Sequence, residues 1–257
     1  TFAGSHHRQA RLRNFILNST FRKAERAFVA EKHQVEDGFF SKASMEFTKK
    51  FGGAVVERVE SGKSINDKQY VEKIARLKPD VIAVMGTSLL RKPIIAIPKL
   101  GILNMHTGLS PYYRGGFTNL WPIINKEPQY CGVTIHQLTP GIDSGGILYH
   151  GLPNIEESDS FPSINCKAIV LGAKLMVQAI KDLVSGEADM VEQWSSGKLF
   201  NNRDFNGLHA YRYSRLMGKG YLKEFAVSWR NSRISAPKGL RLLPHDNIPQ
   251  HIPQEYR

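Results

Sequence analysis

The chain has 257 residues, 41% hydrophobic and 23% charged, the composition of a folded unit with room for a sizeable core. No apolar run approaches the roughly 20 residues of a membrane helix, no secretory signal is visible, and Cys131 and Cys166 alone make neither a disulfide framework nor a metal-ligand set. A reducing cytoplasm is the simplest setting, and the net charge of +12 favours acidic partners such as nucleic acid, phosphorylated small molecules or anionic cofactors.

Thr1–Ala3 reads as the stub of a strand, and Gly4–Arg8 as a strand-to-helix turn with phosphate-binding potential. A basic helix follows over 9–30, with Leu12, Phe15, Ile16 and Phe28 available for burial. Ser41–Phe51 and Lys68–Leu77 also have helical spacing, the latter through Tyr70, Ile74 and Leu77, and Gly53–Glu57 between them reads as a short strand. Pro79–Gly86 contains five consecutive apolar residues. A run of this kind, without alternation, fits a strand covered on both faces of a parallel sheet. Open α/β sheets bind ligands beyond the carboxyl ends of such strands, so Thr87–Leu90 is either a ligand loop or a helix cap.

The next strand, Gly101–His106, places Asn104 and His106 on one face, because residues two apart in an extended chain point the same way. An amide beside an imidazole suits attack on a carbonyl: one group holds the developing oxyanion while the other moves a proton. A satisfied polar pair at a strand end is the plainer alternative. Gly115–Ile124 reads as a helix containing Trp121. Gly132–Leu138 alternates, with Val133 and Ile135 on one face and Thr134, His136 and Leu138 on the other. Thr139–Gly146 is then a turn-rich loop carrying one carboxylate, Asp143. Ile147–His150 resumes a strand, and Ile164, Ala168, Leu171, Leu175, Ala179 and Leu183 step along an amphipathic helix behind Pro162.

The character changes after about Val191, which divides the chain into 1–190 and an extension, 191–257. Gly197–Phe200 and Arg203–Phe205 read as short ordered pieces. Arg212, Arg215, Lys219, Lys223, Arg230, Arg233, Lys238 and Arg241 follow with interspersed aromatics. That composition suits nucleic acid, a solvated surface or a dimer contact equally. Pro244, Pro249 and Pro253 mark an extended end.

Asn104-x-His106, Leu109-Ser110-Pro111-x-Tyr113-Arg114-Gly115, Gly132-x-Thr134-x-His136 and Asp143-Ser144-Gly145-Gly146-Ile147 occur in that order. Together they resemble the formyltransferase family, which moves a formyl group from 10-formyltetrahydrofolate to an amine. The resemblance covers about Pro79–Val184. It implies an α/β fold: a Rossmann-like, mostly parallel sheet with helices on both faces, here with a short C-terminal extension. It also implies a triad of Asn104, His106 and Asp143. Asn104 and a protonated His106 would hold the oxyanion of a tetrahedral intermediate. Asp143 would take the proton lost by the amine, and His106 would protonate the departing folate nitrogen without a metal. By the same resemblance the pterin lies against Ser88, Leu89 and Leu90, with Leu138, Thr139, Gly141 and Ile142 as the other wall. The acceptor then meets Thr107, Tyr112, Tyr113, Arg114 and Gly115. His136 matches a recurrent histidine that supports the triad. Leu89 is apolar where some relatives carry Arg, and Leu109-Ser110-Pro111 departs from the commoner Leu-Leu-Pro.

Methionyl-tRNA formyltransferases usually add a β-barrel domain, and residues 191–257 lack its alternating pattern. Sugar-nucleotide N-formyltransferases carry a short extension that often dimerises, and Gly197-Lys198-Leu199-Phe200-x-x-Arg203-Asp204-Phe205 is similar to those. The expected acceptor is therefore a nucleotide-linked amino-dideoxy sugar, with a homodimer possible and neither nucleic acid nor membrane as partner. The alternative is an enzyme like methionyl-tRNA formyltransferase that uses the basic tail to hold RNA. A non-catalytic folate-binding module is a third reading.

Overall fold

A computed structural model describes residues 2–50 and 57–243, with side chains placed for 17–46 and 57–243. The chain opens on a single long helix, α1 (Phe2–Lys50), where the sequence reading expected a strand stub, a turn and two helices. No proline interrupts residues 2–50, and Lys32–Glu36 and Lys42–Glu46 form i,i+4 ion pairs that suit an uninterrupted helix. The phosphate-binding turn expected at Gly4–Arg8 is thus helix. Thr1, residues 53–56 of the expected Gly53–Glu57 strand and the proline-marked end lie outside the described residues.

After α1 come α2 (Lys68–Arg76), β1 (Val81–Met85), α3 (Lys92–Ile95), β2 (Gly101–His106), β3 (Tyr113–Gly115) and α4 (Trp121–Ile124). The chain continues through β4 (Val133–Gln137), β5 (Ile147–Gly151), α5 (Phe161–Ser185), β6 (Lys198–Phe200), α6 (Gly207–Met217) and α7 (Tyr221–Arg230). The helix expected over 115–124 shrinks to α4, because Gly115 and Phe117 adopt positive φ angles that no α-helix accommodates.

The central sheet has the order β1-β2-β4-β5. β1 runs parallel to β2, with Val84 opposite Asn104. β4 runs antiparallel to both β2 and β5, with Asn104 opposite His136. Three of the four strands therefore point the same way. On one face α5 packs Ala168, Leu175, Met176 and Ala179 onto Leu103, Met105, Val133, Ile135 and Leu148. On the other, Ile102 with Ile82 and Val84 meets Val71 and Ile74 of α2 together with Leu90 and Ile94. Helices on both faces of this mixed sheet give the α/β architecture inferred from the motifs.

The residues after Val191 fold back onto this unit. β6 pairs with β3, and Tyr213, Leu222, Phe225 and Trp229 join Phe28, Leu109, Leu120, Ile123 and Phe161 in one core cluster. Tyr213, Phe225 and Trp229 of the tail are core residues, whereas Arg212, Arg215, Lys219, Lys223, Arg230, Arg233 and Lys238 are exposed. The last visible stretch is fastened by Arg241. Its backbone N–H donates to His150 Nδ1 at 3.0 Å, and its guanidinium reaches Asp189 at 2.8 Å. Among the described residues no helix is long and apolar enough to cross a membrane.

His150 carries a testable consequence. Its Nε2–H donates to the Ser110 carbonyl at 2.7 Å while Nδ1 accepts from Arg241, so both contacts need the neutral ring. Burial lowers its pKa from 6.5 to about 4. A depressed histidine contributes fully above the unfolded value, and that contribution is lost as pH falls from about 6.5 towards 4, on the order of 3 kcal/mol in all. The melting temperature should drop across this window, and His150→Gln should flatten the slope.

Candidate active site

Asn104 and His106 come from the carboxyl half of β2. Asp143 comes from the loop between β4 and β5, and all three line a cavity of about 560 Å³ at the carboxyl ends of β1 and β2. β2 lies between β1 and β4, which sets these groups inside the sheet instead of at its edge. Asp143 sits at φ 45°, a left-handed conformation that costs a non-glycine residue roughly 1–3 kcal/mol. The Gln193 side chain steadies this loop, its Nε2 donating to the carbonyls of Asp143 at 2.8 Å and Gly145 at 2.9 Å.

The Asp143 carboxylate is the hub. Oδ2 accepts from the Gly115 N–H at 2.9 Å and lies 3.3 Å from His106 Nδ1, while Oδ1 accepts from Asn104 Nδ2 at 3.1 Å and lies 3.5 Å from His136 Nε2. Burial alone would raise this carboxyl. At the low pH where the carboxyl would titrate, the charge of a then protonated His106, together with His136 and the Gly115 N–H, outweighs burial and holds Asp143 well below the usual carboxylate range, so it is ionised at neutral pH.

His106 is almost fully buried, and burial pulls its pKa below the ordinary 6.5 although Asp143 and the Tyr113 carbonyl push upward. The sequence reading expected a protonated imidazole, but desolvation favours the neutral ring at rest. The 2.9 Å contact of Nε2 with the Tyr113 carbonyl assigns the proton to that nitrogen, so Nδ1 presents its lone pair beside Asp143. A proton gained at Nδ1 would find an acceptor already in place. Asn104 uses Nδ2 twice, towards Asp143 and towards His136 Nε2 at 3.0 Å. His136 in turn donates from Nδ1 to the Gln137 carbonyl at 2.9 Å.

The expected donor-side residues Ser88, Leu89, Leu90, Leu138, Thr139, Gly141 and Ile142 all line the cavity. Leu89 and Ile142 are exposed there, two apolar side chains suited to a flat ring, so the wall fits a folate pterin. Asn66 staples the first loop: its Nδ2 donates to the Leu89 carbonyl at 2.9 Å, and its Oδ1 accepts from the Arg91 N–H at 2.7 Å.

The expected acceptor-side residues divide. Thr107 and Gly115 line the cavity, whereas Tyr112, Tyr113 and Arg114 do not. Tyr113 is buried, stacks on Phe200 at 5.8 Å and bonds Glu127 through its hydroxyl. Tyr112 donates to the Lys238 carbonyl, and Arg114 Nη1 donates to the Ile142 carbonyl at 3.4 Å. In their place stand Gly116, Phe117, Asn165, Ile169, Phe200, Asn201 and Asn202. The Gly115–Gly116 pair carried the one available signal. A side chain on Gly115 would strike the Phe200 carbonyl and one on Gly116 would strike Asn202, so both glycines mark the approach of another segment.

An α/β sheet that gathers an amide, an imidazole and a carboxylate in a cavity at its strand ends is built as an acyl-transfer enzyme. Residues 23–180, well over half of the chain, match the sequence model of the formyl transferase family, and the chain belongs to that family. It is 35% identical over 123 residues to a methionyl-tRNA formyltransferase of Clostridioides difficile, covering 48% of this chain and 40% of that protein. It is 34% identical over 139 residues to the bifunctional polymyxin resistance protein ArnA of Wigglesworthia glossinidia brevipalpis, covering 52% and 21%. The chain thus spans less than half the length of these curated relatives. Among solved structures it is similar in fold to a 4-N formyltransferase from Francisella tularensis, with a TM-score of 0.51, 22% identity and 64% of each chain covered.

Proposed function

We propose that the protein transfers a formyl group from 10-formyltetrahydrofolate to the amine of a nucleotide-linked amino-dideoxy sugar. The carrying observation is the contact of Asp143 with both His106 and Asn104 at the floor of one cavity. Ser88–Leu90 and Leu138–Ile142 would hold the folate, which supplies the formyl group when bound. Asn104 would turn one Nδ2 hydrogen from His136 Nε2 to the oxygen of the attacked carbonyl while the other stays on Asp143, a contact worth about 3 kcal/mol at the transition state. The amine gains positive charge as it attacks. Its proton would pass to the Asp143–His106 pair, where Nδ1 is the basic nitrogen, and from there to the departing nitrogen.

Two observations favour a sugar over RNA. Among the described residues neither Lys nor Arg lines the cavity, and Tyr213, Phe225 and Trp229 of the C-terminal segment are buried in the core. The tRNA reading draws on the curated relatives, and the exposed basic residues of α6 and α7 would be its footing. Mass spectrometry separates the two. Protein, 10-formyltetrahydrofolate and a panel of nucleotide amino sugars should yield one product heavier by a formyl group, and Asn104→Ala should lower the rate about 10²-fold. Formylation of methionyl-tRNA instead, with binding that weakens steeply as salt rises, would overturn the sugar assignment.

A further inference from the structure

The wall of the cavity beyond Gly115 contains an amide whose orientation is dictated by its neighbours. Asn119 is completely buried, and its Oδ1 accepts from the Gly132 backbone N–H at 2.8 Å. A backbone N–H can only donate, so this bond settles which end of Asn119 is oxygen. Its Nδ2 therefore points at Asn165 and donates to Asn165 Oδ1 at 3.1 Å. That contact orients Asn165 in turn: its oxygen is taken, and its Nδ2 has no protein partner among the described residues. Asn165 lines the cavity from α5, next to Phe117, Ile169 and Asn202.

We infer that Asn165 is a specificity-determining residue that donates an Nδ2 hydrogen bond to an oxygen of the acceptor's sugar ring. The inference rests on the sugar-formylating reading above and adds to it the group that recognises the sugar. The wall suits a neutral hydroxylated ring. Among the described residues it presents Asn165, Asn201 and Asn202 with no cation, so an uncharged oxygen fits this position better than a phosphate. Phe117, Ile169 and Phe200 beside them offer apolar surface to the ring's carbon face. The Asn201–Asn202 part of the wall comes from beyond the residues that match the family model, so acceptor choice would depend on the chain's C-terminal segment.

Steady-state kinetics of the intact protein test this with Asn165→Asp and Asn165→Ala. Aspartate keeps the acceptor for Asn119 but cannot donate into the cavity, and alanine removes the group altogether. Both variants should raise KM for the amino sugar about ten-fold, the effect of one hydrogen bond, while KM for 10-formyltetrahydrofolate stays within about two-fold. A thermal melt shows whether each variant is folded. An unchanged acceptor KM in a folded Asn165→Ala protein, or an equal rise in both KM values, would overturn the inference while leaving the formyl-transfer reading intact. A wild-type protein that formylates none of the amino sugars would overturn both.

Discussion

Replacing Asp143 by Asn should lower kcat about 10³-fold with little change in either KM, the scale of losing a positioned proton acceptor. The substitution keeps the shape but removes the charge that faces His106 Nδ1 at 3.3 Å and accepts from Asn104 at 3.1 Å. The pH profile gives the variant a signature beyond a slower rate. Burial keeps the His106 pKa under 6.5, so the wild-type rate should be flat above that pH and fall below it, as the imidazole becomes protonated and unable to take the amine's proton. Asp143 is the larger of the influences that raise the His106 pKa. In Asp143→Asn the remaining activity should therefore lose its acid limb at a lower pH than in the wild type. A limb at the same pH would mean that the two groups are not coupled.

Gly145→Ala should cost activity about 10²-fold or more without touching a reacting group. A Cβ at this position would collide with the backbone carbonyl of Gln137, which cannot swing aside because Gln137 ends β4 and its N–H donates to the Gly146 carbonyl at 2.8 Å. The 138–145 loop must then shift and carry Asp143 with it. A displacement of about 1 Å at a catalytic group is enough for a loss of this size. Gly146→Ala, one residue on and outside the cavity lining, is the control. Its Cβ would meet Met190 at 3.4 Å, an ordinary van der Waals contact, so this variant should stay within a few-fold of the wild type. Equal losses in the two variants would show that the loop tolerates no side chain at all, and would remove the special role given to the Gln137 contact.

Much of the site was legible in the residues because it depends on local spacing. Asn104 and His106 share a face by the two-residue period of a strand, and β4 shows its alternation openly, with Val133 and Ile135 buried towards α5. The turn-forming residues around Asp143 announced a loop, and the run Val81–Val84 announced a strand, although not a covered one: β1 is at the edge of the sheet and none of its residues is fully buried. Where the reading failed, the cause was long-range. Residues 2–50 contain no proline, and one helix runs through glycine and serine positions that locally resemble turns. Tyr112, Tyr113 and Arg114 sit beside the motif in sequence, yet packing against Phe200, Trp194 and Lys238 takes both tyrosine side chains away from the cavity.

The sequence by itself determined the family and the α/β class, and the order of its motifs pointed to Asn104, His106 and Asp143, which the structure brings together. Only the tertiary structure decided the charge states, since the His106 pKa depends on burial and the Asp143 pKa on His106, His136 and the Gly115 N–H. It alone also decided the far wall. Asn165, Phe200 and Asn202 lie 61 to 98 residues from Asn104 along the chain, and no local periodicity relates them to it. They reach the cavity because α5 must cover the apolar face of the sheet and β6 must pair with β3, two constraints of packing and hydrogen bonding that act across the whole fold.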